Sequence, residues 1–100
     1  MNIDRIDITE NDISFTIYPL KNEVLIEGKM YPIEEEKILE LLRIVMVWDK
    51  EYIDNTYYDG NRYEVRIIEG NNEDVYKGTR NAHANYEEFS RLIREIYDRV

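Results

Sequence analysis

Cysteine is absent from this 100-residue chain, which excludes disulfides and thiolate metal sites and leaves the redox compartment open. Histidine occurs once, at position 83. A nucleophilic or metal site there would have to do without the second His or Cys that such chemistry normally uses. Glycine (4) and proline (2) are scarce, and no GxxxxGK[ST] phosphate-cradling loop occurs. Basic residues are outnumbered, 13 against 22 acidic, giving a net charge of −9. Binding to nucleic-acid phosphates or to an anionic membrane needs the opposite sign, so neither is expected as a direct partner. No apolar run is long enough to span a bilayer. The charged opening MNIDRIDITEND lacks the apolar stretch of a signal peptide, so a cytoplasmic protein is the expectation.

Hydrophobic residues at 43% and aromatics at 12% argue for a packed core despite 35% charged residues. The length suits one domain, residues 1–100. The acidic excess is spread evenly: 11 acidic against 6 basic residues in 1–50, and 11 against 7 in 51–100. Tyrosine is abundant, with nine copies against two Phe and one Trp. It buries a ring while keeping its hydroxyl wet, a property that binding surfaces exploit.

Ile6 and Ile8 alternate with Arg5, Asp7 and Thr9, and Glu10-Asn11-Asp12 then turns the chain. Ile13, Phe15 and Ile17 alternate again, Pro19 to Asn22 forms a second turn, and Val24 and Ile26 mark a third strand that Gly28 closes. Pro32 suits the first helical position, with Glu34, Glu35 and Glu36 complementing the helix dipole. Ile38, Leu41, Leu42, Val45 and Trp48 recur at steps of three and four. Leu39, Ile44, Met46 and Val47 widen that face, predicting a deeply buried helix. After a polar and aromatic connector, Tyr63, Val65 and Ile67 alternate, Gly70-Asn71-Asn72 turns, and Val75 to Lys77 returns as a hairpin. Asn85 and Glu88 have capping-box spacing before the stripe Tyr86, Phe89, Leu92, Ile93, Ile96 and Tyr97. The order β-β-β-α-β-β-α predicts an α+β fold, an antiparallel sheet of about five strands packed against two helices.

Two stretches invite a functional reading. Trp48, Asp49, Glu51, Tyr52, Asp54, Tyr57, Tyr58 and Asp59 interleave aromatic rings with carboxylates, and Lys50 is their one basic neighbour. Such a surface can occupy a groove built for nucleic acid, carboxylates in place of phosphates and rings in place of bases. The plainer alternative packs Trp48 and Tyr52 into the core and leaves the acids as a solvated rim. The second stretch, YKGTRNAHANYEEF from Tyr76 to Phe89, places Thr79, Arg80 and His83 just before a helix start, where anions can settle. The plainer alternative is a polar connector with His83 facing solvent or bonded locally. No catalytic residues, metal or cofactor are expected. Glu34–Glu36 point in different directions on a helix, and the acids of 49–59 lack the order of a Ca²⁺ loop. A paired-carboxylate glycosidase stays open by residue type alone, although a domain this small rarely holds both a core and a sugar cleft.

From Arg62 on, the chain resembles small uncharacterised hairpin–helix proteins of Gram-positive bacteria and their mobile elements. Their pattern is Tyr-x-Gly-Ser-Asn followed by Pro-x-Asn-aromatic-x-Glu-Phe. Tyr76, Gly78, Asn85, Tyr86, Glu88 and Phe89 match it; Thr79 replaces the serine, Arg80 the asparagine and His83 the proline. The resemblance implies a hairpin running into a helix, no assigned activity, and a structural slot for His83.

The leading expectation is a non-enzymatic, acidic protein-binding module that blocks a basic nucleic-acid-binding site on a partner, as an anti-defence inhibitor of a nuclease or CRISPR effector would. Two other classes stay open: a small-ligand binder holding a nucleotide or other anion near Arg80, and a toxin-immunity or housekeeping interaction domain. Oligomeric state is open as well, with a dimer through Tyr18 and Leu25 on the sheet one option.

Overall fold

A computed structural model describes residues 2–48, 51–52, 62–79, 83 and 85–99; at 51 and 52 it describes the backbone alone. Six antiparallel strands form the sheet: β1 (Arg5–Glu10), β2 (Ile13–Tyr18), β3 (Glu23–Ile26), β4 (Lys29–Pro32), β6 (Arg62–Glu69) and β7 (Asn72–Thr79). The two-residue β5 (Glu51–Tyr52) adds to β7 in parallel, giving the spatial order β4-β3-β2-β1-β6-β7-β5. Helix α1 (Glu35–Val45) follows β4, and α2 (Tyr86–Tyr97) ends the chain. The α+β class and the order of the larger elements are as the periodicities predict.

The strands are buried on one face only, as β1 illustrates: Ile6, Ile8 and Glu10 point inward, and Arg5 and Thr9 are exposed. Both helices cover that inner face. Helix α1 inserts Ile38, Leu41, Leu42, Ile44 and Val45, and α2 inserts Tyr86, Phe89, Leu92, Ile93 and Ile96. Lys37 of α1 pairs with Glu95 of α2 at 3.1 Å, and Tyr97 donates to Glu27 at 2.7 Å. Arg99 bonds the Pro32 carbonyl and the Glu34 carboxylate, holding the end of α2 against the start of α1. No described helix is long and apolar enough to cross a membrane.

Three local expectations are corrected. Gly28 does close the third strand, but in a hairpin turn, so a fourth strand stands where the helix was expected to begin. Glu27 (φ 49°) and Gly28 (φ 80°) turn it back into β4, the double positive-φ turn that matches the twist of a two-residue hairpin. Pro32 therefore ends an edge strand, where its missing amide costs no ladder bond, and α1 begins at Glu35 with Glu34 in the cap position. The capping box at α2 does not form. Asn85 holds the cap position at φ −30°, ψ 25°, outside the extended geometry that aims a cap side chain back at the helix, and makes no side-chain cap bond. Finally, the apolar face of α1 is narrower than predicted. Leu39, Met46 and Val47 are 44%, 59% and 75% exposed: the helix seats on its 38-41-42-45 stripe, Leu39 lies about 100° around from it, and Met46 and Val47 follow the helix end at Val45.

Candidate functional site

Successive rows of the inner sheet face change character along β1. The first row runs Val24, Ile17, Ile6 and Ile67, and is aliphatic. The last runs Ile13, Glu10, Tyr63 and Gly78, and is polar and aromatic. Glu10 is inward because strand alternation from Ile6 and Ile8 leaves it no other side, and it is 0% exposed. Tyr86, at the start of α2, donates its hydroxyl to Glu10 Oε2 at 2.7 Å. Glu10 Oε1 has no hydrogen-bond partner among the described residues. A fully buried carboxylate with one satisfied oxygen is an expensive feature in a small core.

Tyr63 stands between this carboxylate and His83. Its hydroxyl accepts the His83 backbone N–H at 3.3 Å and lies 2.7 Å from His83 Nδ1. Which of the two atoms donates in the side-chain bond is set by the imidazole tautomer. Burial pushes the Tyr63 phenol up to about 12, against the lowering effect of the His83 amide and with a small addition from Tyr86. Gly78 is what lets the ring lie there. A Cβ at Gly78 would come within 2.3 Å of Tyr63 Cζ and Oη.

Trp48 completes the cluster from the end of α1. It stacks on His83, with centroids 4.3 Å apart and planes 9° from parallel, and meets Tyr63 and Phe89 edge-on at 5.4 and 5.0 Å. Its Nε1 is buried without a hydrogen-bond partner among the described residues. The structure thus joins one residue from each of the two stretches singled out in the sequence. Both are interior. Trp48 is 7% exposed and His83 6%, so Trp48 offers no ring to a partner and His83 does not face solvent.

The other sequence candidates fall as follows. Asp49, Asp54, Tyr57, Tyr58, Asp59 and Arg80 lie outside the described residues, as do the side chains of Glu51 and Tyr52. The backbone of Glu51 and Tyr52 runs beside Lys77 and Gly78. Thr79 is half-buried and ends β7 opposite Arg62. Glu10, Tyr63 and Tyr86 were not singled out as a constellation by sequence. The signal for Glu10 was present: it continues the Ile6, Ile8 alternation inward, at a position equally readable as the first residue of a turn.

The two outer faces differ in charge. The open sheet face carries Arg5, Arg62, Arg66 and Lys77 against Asp7, Glu23, Glu64 and Glu73. Most of these pair with one another: Arg5 with Asp7 at 3.2 Å, Arg66 with Glu64 at 2.6 Å and with Glu73, and Lys77 with Glu64 at 3.7 Å. Elsewhere on the described surface thirteen acidic residues stand against seven basic ones. A shallow groove along α2, lined by Glu87, Arg91, Arg94, Glu95 and Asp98 among others, mixes both signs. Compared with models of known protein families and with curated protein sequences, the chain matches none.

Proposed function

We propose that this chain is a non-enzymatic, acidic protein-binding module of the cytoplasm that occupies a basic, nucleic-acid-binding surface on a partner such as a nuclease. The observation that supports this reading is the sidedness of the charge. The open sheet face neutralises itself, four basic against four acidic residues, while the rest of the described surface carries thirteen acidic against seven basic residues. A one-sided acidic surface steers and holds a basic partner. The small-ligand reading fares less well. The position before α2 that would receive an anion has a buried carboxylate, Glu10, close behind it, and His83 is already engaged by Tyr63 and Trp48. An immunity role would use the same acidic surface and differs only in the identity of the partner.

The test is affinity capture from nuclease-treated host lysate with the full chain as bait, followed by challenge with excess duplex and single-stranded oligonucleotide. The expected result is a basic partner released by oligonucleotide and by about 1 M salt, where the Debye length is about 3 Å. A complex that persists against both would overturn the proposal.

A further inference from the structure

The exposed side of α1 and the residues just after it combine apolar side chains with carboxylates. Leu39 within α1, and Met46 and Val47 directly after its end, are exposed apolar residues. Beside them stand Glu35, Glu36 and Glu40, all exposed, none of which makes an ion pair among the described residues. Some acids elsewhere are held by a cation: Glu34 by Arg99, which lowers its pKa, Glu95 by Lys37, and Glu64 and Glu73 by Arg66. Arg43 lies about one turn on from Leu39, leaving three carboxylates to one cation there. The sequence expectation had put Leu39, Met46 and Val47 in the core; the fold leaves them outside.

Glu35, Glu36 and Glu40 lie within about one turn of Leu39, so this patch fits apolar side chains flanked by Lys or Arg. From this geometry we infer that the exposed side of α1 is the docking surface, and that its occupant is an amphipathic basic segment of the partner, a helix with Leu-like residues on one side and Lys or Arg flanking them. The apolar anchors supply the contact area, and the carboxylates set orientation and reject acidic competitors. A second copy of this chain is the poorer occupant, since it would bring a net −9 against −9. The inference rests on the protein-binding reading above and assigns that reading its surface.

The experiment uses two synthetic probes and the full chain labelled with ¹⁵N: a helical Leu/Lys amphipathic peptide, and an oligolysine of equal charge. The amphipathic peptide is expected to bind at least tenfold tighter than oligolysine and to shift the amide signals of Leu39, Glu40, Arg43, Met46 and Val47. The pair Leu39→Ser and Met46→Ser should weaken it about tenfold, and Glu36→Gln with Glu40→Gln about threefold, with a shallower salt dependence. Arg66→Gln on the open sheet face should change nothing. All these positions are exposed or half-exposed, so circular dichroism should show each variant folded like the parent. Equal affinity for oligolysine, shifts confined to other surfaces, or no binding at all would overturn the inference. A concentration-dependent dimer abolished by Leu39→Ser and Met46→Ser would replace it with self-association. If a captured partner is released by oligonucleotide yet ignores the α1 variants, the proposed function stands and this surface is wrong. If the peptide binds α1 while no captured partner is released, the surface stands and the proposed function is wrong.

Discussion

Strand β1 passes through two kinds of core. At its start Ile6 meets Ile17 and Ile67 across the ladder, in a region closed by Val24, Ile26, Ile38 and Leu41, all at most 1% exposed. At its end Glu10 meets Tyr63, in a region built from Gly78, His83, Trp48, Tyr86 and Phe89. The first is held by burial that has no direction, at about 25 cal/mol per Å² of apolar surface. The second is held by ring geometry and by hydrogen bonds whose partners are individually irreplaceable. A missing methyl group in the first is a small loss. A missing or added atom in the second strands a polar group or displaces a ring.

The largest difference should come from changes of a single carbon. Ile17→Val removes one from the aliphatic row and should cost about 1 kcal/mol. Gly78→Ala adds one in the polar row and should cost about 3 kcal/mol. The new Cβ falls within 2.3 Å of the Tyr63 ring, which Trp48 and Phe89 hold from other sides. Urea denaturation, read as a shift in midpoint at constant slope, measures both. Equal costs would mean the two ends of the core are equally plastic.

A smaller effect is expected from one oxygen. Tyr86→Phe takes away the hydroxyl that donates to Glu10 Oε2, and the buried carboxylate then loses its described donor, at about 2 kcal/mol. Tyr97→Phe is the matched control, because it deletes a bond of the same 2.7 Å length to Glu27 on the surface, where water replaces it. Stability should hardly change there. Adding Glu10→Leu to Tyr86→Phe should recover part of the loss, since both polar groups then leave together. If Tyr86→Phe proves as silent as Tyr97→Phe, Glu10 has another source of stabilisation.

The same contrast explains what was legible in the sequence. Aliphatic elements announce themselves by period, so β1, β2, β3, β6 and the stripes of α1 and α2 follow directly from residues such as Ile13-Phe15-Ile17 and Phe89-Leu92-Ile93-Ile96. Strand β4 was hidden because Lys29 to Pro32 carries no alternating apolar pattern and contains a residue that usually starts helices. Leu39, Met46 and Val47 were assigned inward because composition does not reveal which side of a helix seats on the sheet once both sides hold apolar residues. The Glu10–Tyr86 bond joins positions 76 residues apart, and Tyr63 and His83 lie 20 apart. No local pattern encodes such pairs, so Trp48 and His83 each drew attention for reasons unrelated to the stack they form.

The subtlest difference lies in alkaline titration, because it needs no mutation to appear. The Tyr63 phenol is raised from its ordinary 10.0 to about 12, chiefly by burial. Between those values the unfolded chain has released this proton and the folded chain still holds it. The folded state thus binds more protons, and stability must fall as pH rises. The contribution is fully present below pH 10, is reduced by about 1 kcal/mol at pH 11, and is lost as pH passes through about 12. Ultraviolet difference titration at alkaline pH should show a late phenol from Tyr63, beside the surface Tyr97 that its bond to Glu27 also raises, coincident with the loss of near-ultraviolet dichroism from the Trp48 cluster. Tyr63→Phe removes the late phenol and should flatten the alkaline slope of stability. Ile17→Val, at the aliphatic end of the same sheet, should lower stability equally at pH 8 and pH 11. If Tyr63→Phe keeps the full slope, the polar end of the core is open to water and does not titrate as a buried unit.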